Sequence, residues 1–240
     1  MHTPRFIGSF DLSKPRIEID EVDIVHQITR VLRMHNSEEI LLCDGKGGEV
    51  RTWIVDIMRD KVTVEALSKN KNESESQRHV VLYCAILKRE NFEWVVQKAT
   101  EVGVKEIIPL ITHRTVKLDC KEDRLKKIIQ EAAEQSGRIV VPILHPPMKF
   151  GDATTHAKDN DINLFFDPHG KLWEFNSHSL VEKAERVGIF IGPEGGWDDD
   201  EMGAAKKNKF KFVSLGKLIL RAETAAVVAS YISVLGTHES

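Results

Sequence analysis

The chain has 240 residues, enough for one large or two smaller domains, and its 41% hydrophobic and 30% charged residues are the balance of a globular protein. A formal net charge of −3 excludes a protein that holds nucleic acid through bulk basicity, so any RNA contact has to come from a local basic patch. No apolar run is long enough to span a membrane and Met1-His2-Thr3-Pro4-Arg5-Phe6 lacks a signal-peptide core, while Cys43, Cys84 and Cys120 form no Cys-x-x-Cys pair; a cytoplasmic protein with reduced thiols and no structural zinc is expected.

Residues 1 to about 67 lack long helical periodicity. Val22 to Met34 has the spacing of a short helix, Ile40-Leu41-Leu42-Cys43-Asp44 reads as a strand, and Gly45-Lys46-Gly47-Gly48 as a turn. Arg51, Trp53, Val55 and Ile57 then alternate with their neighbours, as do Val62, Val64 and Ala66, which predicts a small β-barrel. Ser68 to Arg78 contains no apolar residue and reads as a linker. The division expected is a barrel over residues 1–70, a linker over 71–78 and a second domain over 79–240.

From His79 the pattern changes to alternating strands and helices. Val80 to Leu87 is a buried strand; Phe92, Val95, Val96 and Ala99 mark one face of a helix that ends at Gly103. Glu106 to Ile111 is a second strand, and Leu125, Ile128, Ile129 and Ala132 mark a second helix that stops near Gly137. Ile139-Val140-Val141, Ile162 to Phe166, Val187 to Ile191 and Phe212 to Leu215 read as further strands. Repeated β–α alternation predicts an α/β domain with a mainly parallel sheet covered by helices.

Two glycine-bearing loops near the C-terminus carry the functional signal. Ile191-Gly192-Pro193-Glu194-Gly195-Gly196 follows the apolar run Val187 to Phe190, and Leu215-Gly216-Lys217-Leu218-Ile219-Leu220-Arg221-Ala222-Glu223-Thr224-Ala225 follows the next strand. Loops at the carboxyl ends of strands in an open α/β sheet are where ligands bind, and glycine lets the backbone approach them. Asp198, Asp199, Asp200 and Glu201 open the next helix and disfavour a phosphate there, and neither Gly-x-Gly-x-x-Gly nor a Walker loop occurs. A neutral or zwitterionic ligand fits better than a nucleotide, with a ligand-free turn as the alternative. The last helix, Ala222 to about Leu235, is apolar around nearly its whole circumference, which calls for a second subunit or a central place in the core.

These loops, with Glu201, resemble the paired signatures of the RsmE family, SPOUT-class S-adenosylmethionine-dependent rRNA uridine-N3 methyltransferases. Gln97-Lys98-Ala99-Thr100-Glu101-Val102-Gly103-Val104 with Ile107-Ile108-Pro109, and Glu134-Gln135-Ser136-Gly137-Arg138, agree with it. So do Pro4-Arg5-Phe6, Arg30-Val31-Leu32-Arg33-Met34 and Asp44-Gly45, so the resemblance spans the whole chain. It implies a trefoil-knotted SPOUT α/β domain, a PUA-like RNA-binding barrel, and a homodimer with the pocket near the subunit interface. It also implies 16S rRNA of the small ribosomal subunit as substrate and S-adenosyl-L-methionine as cofactor. The same fold acting on another RNA site, or a non-catalytic RNA-binding assembly factor, are the alternatives.

On this resemblance the cofactor pocket takes Ile191, Gly192, Pro193, Glu194, Gly195 and Gly196 from one loop. It takes Leu215, Gly216, Ile219, Leu220, Arg221, Thr224 and Ala225 from another, and Phe166, Asp167 and Pro168 from a third. Arg221 is either a helix-start salt bridge or the cation that meets charge developing on uracil; Glu194 is a base, a loop brace or a cofactor contact. His169 is a candidate base or a solvated loop residue. Arg114 and Arg138, and Arg5, Arg30 and Arg33 in the small domain, are candidate RNA contacts, with solvated surface as the alternative. His145-Pro146-Pro147 reads as a turn, and the ten histidines show no ligand spacing, so no metal is expected.

Overall fold

Short runs of β-branched and aliphatic residues build the first unit. β1 (Arg5–Ile7), β2 (Arg16–Ile19), β3 (Glu39–Cys43), β4 (Glu49–Ile57) and β5 (Val62–Lys69) form a sheet in the order β1-β3-β4-β5-β2. β1 runs parallel to β3, and the other neighbours are antiparallel. Helix α1 (Val22–His26) runs on through a wider turn over Gln27–Val31 and closes the core with Ile24, Val25 and Ile28. The inner row of β4 is Val50, Thr52 and Ile54, while Arg51 and Trp53 face outward. The computed structural model describes residues 3–69, 75–88, 90–116, 120–173 and 181–235. Contacts divide the chain into one unit of residues 1–75 with 133–141 and another of 76–132 with 142–240. Residues 70–74, in and beside the expected linker, lie outside the described residues.

The segment 139–141 departs from the sequence expectation of a strand. Val140 makes only a single bridge to Lys46, and Ile139 packs with Ile7, Cys43 and Ala133 in the first unit. The physical reason is the Glu75 carboxylate, which accepts the backbone N–H groups of both Ile139 and Val140 and so consumes the donors a ladder needs.

The second unit alternates strands and helices as the periodicity predicts. β6 (His79–Ala85), α2 (Glu90–Glu101), β7 (Glu106–Ile111) and α3 (Glu122–Ser136) come first. The two-residue strands β8 (Ile143–Leu144) and β9 (Met148–Lys149) lead into α4 (Phe150–His156). β10 (Ile162–Leu172), β11 (Arg186–Ile191), α5 (Asp199–Lys207), β12 (Lys211–Ser214) and α6 (Ala222–Val234) complete it. Every strand pair is parallel, in the order β12-β10-β11-β6-β7-β8, with β9 farther along β7. Residues 80–87 are buried without interruption, as a sheet covered on both faces requires. An aromatic core of Tyr83, Phe150, Phe165, Phe190, Trp197 and Phe210 fills one side, with Tyr83 stacked on Phe190 at 4.2 Å. On α6, Ala226, Ala229, Ser230 and Ser233 are buried, whereas Val228, Tyr231 and Leu235 stay exposed. No helix among the described residues is long and apolar enough to cross a membrane.

The amino ends of the three central strands are clasped by one carboxylate. Glu106, the first residue of β7, bonds Arg186 at 2.8 Å and His79 at 2.5 Å through Oε1, and His145 at 2.8 Å through Oε2. Burial alone would raise its pKa, but these hydrogen bonds from Arg186, His79 and His145 hold it down to about 2, against an ordinary 4.5. A depressed carboxyl pKa contributes stability above about pH 4.5 that is lost as pH falls toward 2, on the order of 3 kcal/mol at the limit. Denaturant unfolding measured from pH 7 to pH 3 should therefore show Glu106→Gln less stable than the wild type at pH 7, with the gap narrowing in acid. A gap that stays constant with pH would contradict this role.

Candidate functional site

Register sets the height of the site. Cys84 of β6 pairs with Ile191 of β11, Ile191 with Phe166 of β10, and Phe166 with Val213 of β12. Cys84, Ile191, Phe166 and Val213 thus stand on one row, at or next to the carboxyl ends of β6, β11 and β12 and at the point where β10 leaves the ladder, so the segments that follow depart on the same side. On β10 the pairing with Val213 jumps from Phe166 to Lys171, so residues 167–170 bulge out of the ladder as a loop.

These loops surround a cavity of about 540 Å³. Phe166, Asp167 and Pro168 line it from β10, and Ile191, Gly192, Pro193, Glu194 and Gly196 from β11. Leu215, Ile219, Leu220, Arg221 and Ala225 line it from the segment after β12. Gly195, Gly216 and Thr224 stand beside the lining. Lys88 and Asn91, which follow β6, complete the wall together with Trp197, Ser214 and Glu223. None of these five is singled out by the glycine motifs, although Trp197 and Glu223 directly adjoin or lie inside them.

Trp197 explains the shape of the floor. Its indole is buried, stacks on Phe165 at 4.4 Å, and donates from Nε1 to the Phe166 carbonyl at 3.0 Å. That one side chain ties the β11 loop to the end of β10. A Cβ on Gly192 would stand 3.0 Å from the same indole, so a larger residue at 192 pushes against it. On the third loop, Gly216 has φ +148°, a conformation that side chains rarely adopt, and Ser214 Oγ meets the Gly216 carbonyl at 3.0 Å.

The electrostatics disfavour an anion. Asp198 caps α5 and Glu201 returns the bond to the Asp198 N–H at 3.0 Å, forming a capping box, so the helix terminus is filled by the chain's own carboxylates. Asp167, Glu194 and Glu223 add negative charge to the wall, opposed by Lys88 and Arg221. Glu194 accepts the Lys88 N–H at 3.2 Å and thereby braces the β11 loop against the exit of β6. Arg221 is the N-cap residue of α6; its side chain is 85% exposed and approaches Glu223 only at 4.0 Å. Arg114 donates to the Gly195 carbonyl at 2.8 Å from outside the cavity. His169 is exposed and does not line the cavity.

The cations of the first unit divide into two groups. Arg30 and Arg33 are exposed. Arg5 is instead paired with Glu49 at 2.6 Å, its side chain 10% exposed, and Arg138 with Glu75 at 3.0 Å, its side chain 5% exposed. Both guanidiniums are held by carboxylates of the same unit, and stripping the partner from either would leave an uncompensated charge.

A family model for an RNA methyltransferase domain matches residues 74–233, and one for an RNA methyltransferase PUA domain matches residues 19–67. The chain is 33% identical over 239 residues to ribosomal RNA small subunit methyltransferase E of Rickettsia conorii, covering 97% of this chain and 96% of that protein. The chain belongs to the ribosomal RNA small subunit methyltransferase E family. A solved family member from Neisseria gonorrhoeae, bound to S-adenosyl methionine, superposes with a TM-score of 0.86 at 29% identity over 95% of both chains. A methyltransferase from Legionella pneumophila in complex with the same cofactor gives 0.87 at 30% identity over 97% of both.

In this family member the floor residue should carry measurable stability. Trp197→Ala should cost about 3–5 kcal/mol in equilibrium unfolding, as removal of a buried indole does. Trp197→Phe should cost about 1 kcal/mol for the lost hydrogen bond, plus any packing loss. Equal costs for the two variants would show that the ring contributes nothing at this position.

Proposed function

We propose that the protein transfers a methyl group from S-adenosyl-L-methionine to N3 of one uridine in 16S rRNA of the small ribosomal subunit. The observation that carries this reading is the cavity at the carboxyl ends of β10, β11 and β12, in a chain whose family is that of small-subunit rRNA methyltransferases. About 540 Å³ is of the size that encloses a ligand like this cofactor. Apolar walls from Leu215, Ile219 and Leu220 suit an adenine ring, and Asp167, Glu194 and Glu223 suit its ammonium and sulfonium charges. The filled N-terminus of α5 fits a cofactor without phosphates.

When bound, the cofactor supplies an electrophilic methyl group. The chain's own task is then to present the uracil imide deprotonated and to stabilise the charge left on its O2 and O4. Arg221, at the rim and 4.0 Å from Glu223, its nearest carboxylate among the described residues, is the group that donates to those oxygens. Glu194 is the brace of the cofactor loop. Arg30 and Arg33 on the PUA-like barrel, and Arg114 beside the β11 loop, position the RNA backbone.

The same reading includes a trefoil knot formed by the loops of the SPOUT domain, a homodimer, and a cytoplasmic place of work beside the ribosome. Support for the dimer is the exposed apolar surface of Leu218 and Ile219 at the cavity and of Val228, Tyr231 and Leu235 on α6. A second copy covers it, which answers the helix that is apolar all round.

Calorimetry with S-adenosylhomocysteine tests the cofactor assignment. The wild type should bind, and Gly216→Val, strained at its positive φ, should bind at least about tenfold more weakly with unchanged circular dichroism. A folded wild type that does not bind would overturn the assignment. Single-turnover transfer to 16S rRNA tests Arg221. Arg221→Ala should slow the chemical step about 10²–10³-fold with little change in cofactor affinity, and Arg221→Lys should recover only part. An unchanged single-turnover rate would make the residue structural.

A further inference from the structure

At the amino ends of the parallel strands, opposite the cofactor cavity, lies a second cluster with its own chemistry. Glu106 begins β7, His145 follows β8, and His156 ends α4, and one donor atom from each lies within 4.8 Å of the others. We infer that Glu106, His145 and His156 form a binding site for a divalent transition-metal ion, zinc being the ion they suit best.

The arrangement is that of ligands already oriented. Arg186 and His79 both hold Oε1 of Glu106, which turns Oε2 toward His145 at 2.8 Å. The Tyr83 hydroxyl meets Nδ1 of His156 at 2.8 Å and is itself fixed by Asn160 at 3.2 Å. Outer partners of this kind set the ring and carboxylate orientation in metal sites. The two imidazoles are inclined at 72° with centroids 5.3 Å apart, so they converge without stacking. Zinc bonds to imidazole nitrogen and carboxylate oxygen of roughly 2.0–2.2 Å place donors about 3–4 Å apart, so closing on an ion takes only small side-chain shifts.

Two imidazoles and one carboxylate favour zinc and its neighbours over magnesium or calcium, which take oxygen ligands. Glu106 is 8% exposed and His145 22%, which leaves an open side for the ion and for water as a further ligand. An ion on Nε2 of His145 takes the place of its contact with Glu106, and the neutral imidazole then carries its N–H on Nδ1. The Arg186 charge opposes the ion and keeps the affinity moderate. An ion here would tie α4 and the segment after β8 to the head of β7. The absence of ligand spacing in the sequence gave no hint of it, because the three residues come from separate elements.

The test is zinc titration of the chelator-treated full chain by calorimetry, with thermal unfolding and cobalt(II) absorption as independent readouts. One zinc per chain should bind with Kd near or below about 10 µM, raise Tm, and leave S-adenosylhomocysteine affinity unchanged. Cobalt(II) should give the visible bands of a nitrogen- and oxygen-ligated ion, while magnesium and calcium should leave Tm unmoved. His145→Ala and His156→Ala should each weaken zinc by at least about tenfold, and His169→Ala, at an exposed histidine elsewhere, should not. Zinc binding that survives the double substitution H145A/H156A would overturn the site. If either variant fails to fold, the wild type decides: no saturable zinc binding and no cobalt bands overturn the proposal.

Discussion

Four parallel strands held level on one row are the constraint from which the site follows. Cys84, Ile191, Phe166 and Val213 are successive partners across β6, β11, β10 and β12. A one-residue slip in any of these pairings would exchange the two faces of a strand and tilt its loop away from its neighbours. Because the register is level, three loops distant in sequence close around one cavity. Trp197 then joins two of them through its hydrogen bond to Phe166, so the floor of the cavity is continuous with the aromatic core beneath it. Precision at the loops is inherited from packing in the sheet.

Charge is distributed to match that geometry. The carboxylates of Asp198 and Glu201 are spent on the N-terminus of α5, and Glu194 on the Lys88 amide, so negative charge near the cavity also does structural service. Arg221 is the contrast: a guanidinium at the cavity rim with no carboxylate closer, among the described residues, than Glu223 at 4.0 Å. The opposite end of the sheet reverses the pattern, with Glu106 surrounded by Arg186, His79 and His145. The cavity and the strand-end bracing thus occupy different ends of the same parallel strands.

Much of this was legible in the residues themselves. Continuous apolar runs such as Val80 to Leu87 signal a strand covered on both faces, and the spacing of Phe92, Val95, Val96 and Ala99 signals α2. The glycine loops after β11 and β12 are visible because backbone approach leaves a mark in residue type. What periodicity cannot show is long-range pairing. Ile139-Val140-Val141 looks like a strand until Glu75, far away in sequence, takes its amide donors. Arg5 and Arg138 look like surface cations in the sequence, which does not show their pairing with Glu49 and Glu75. Trp197 reads only as a bulky residue after two glycines, since its partner carbonyl belongs to another loop. The Glu106–His145–His156 cluster is hidden for the same reason.

The central claim concerns one atom of one nucleotide. Nucleoside analysis of 16S rRNA from a strain lacking this protein tests it most directly, with the wild-type chain and Arg221→Ala restored in parallel. The account predicts the loss of a single 3-methyluridine, regained with the wild type and not with the variant. An unchanged 3-methyluridine content in the deleted strain, or loss of a different methylated nucleoside, would contradict it.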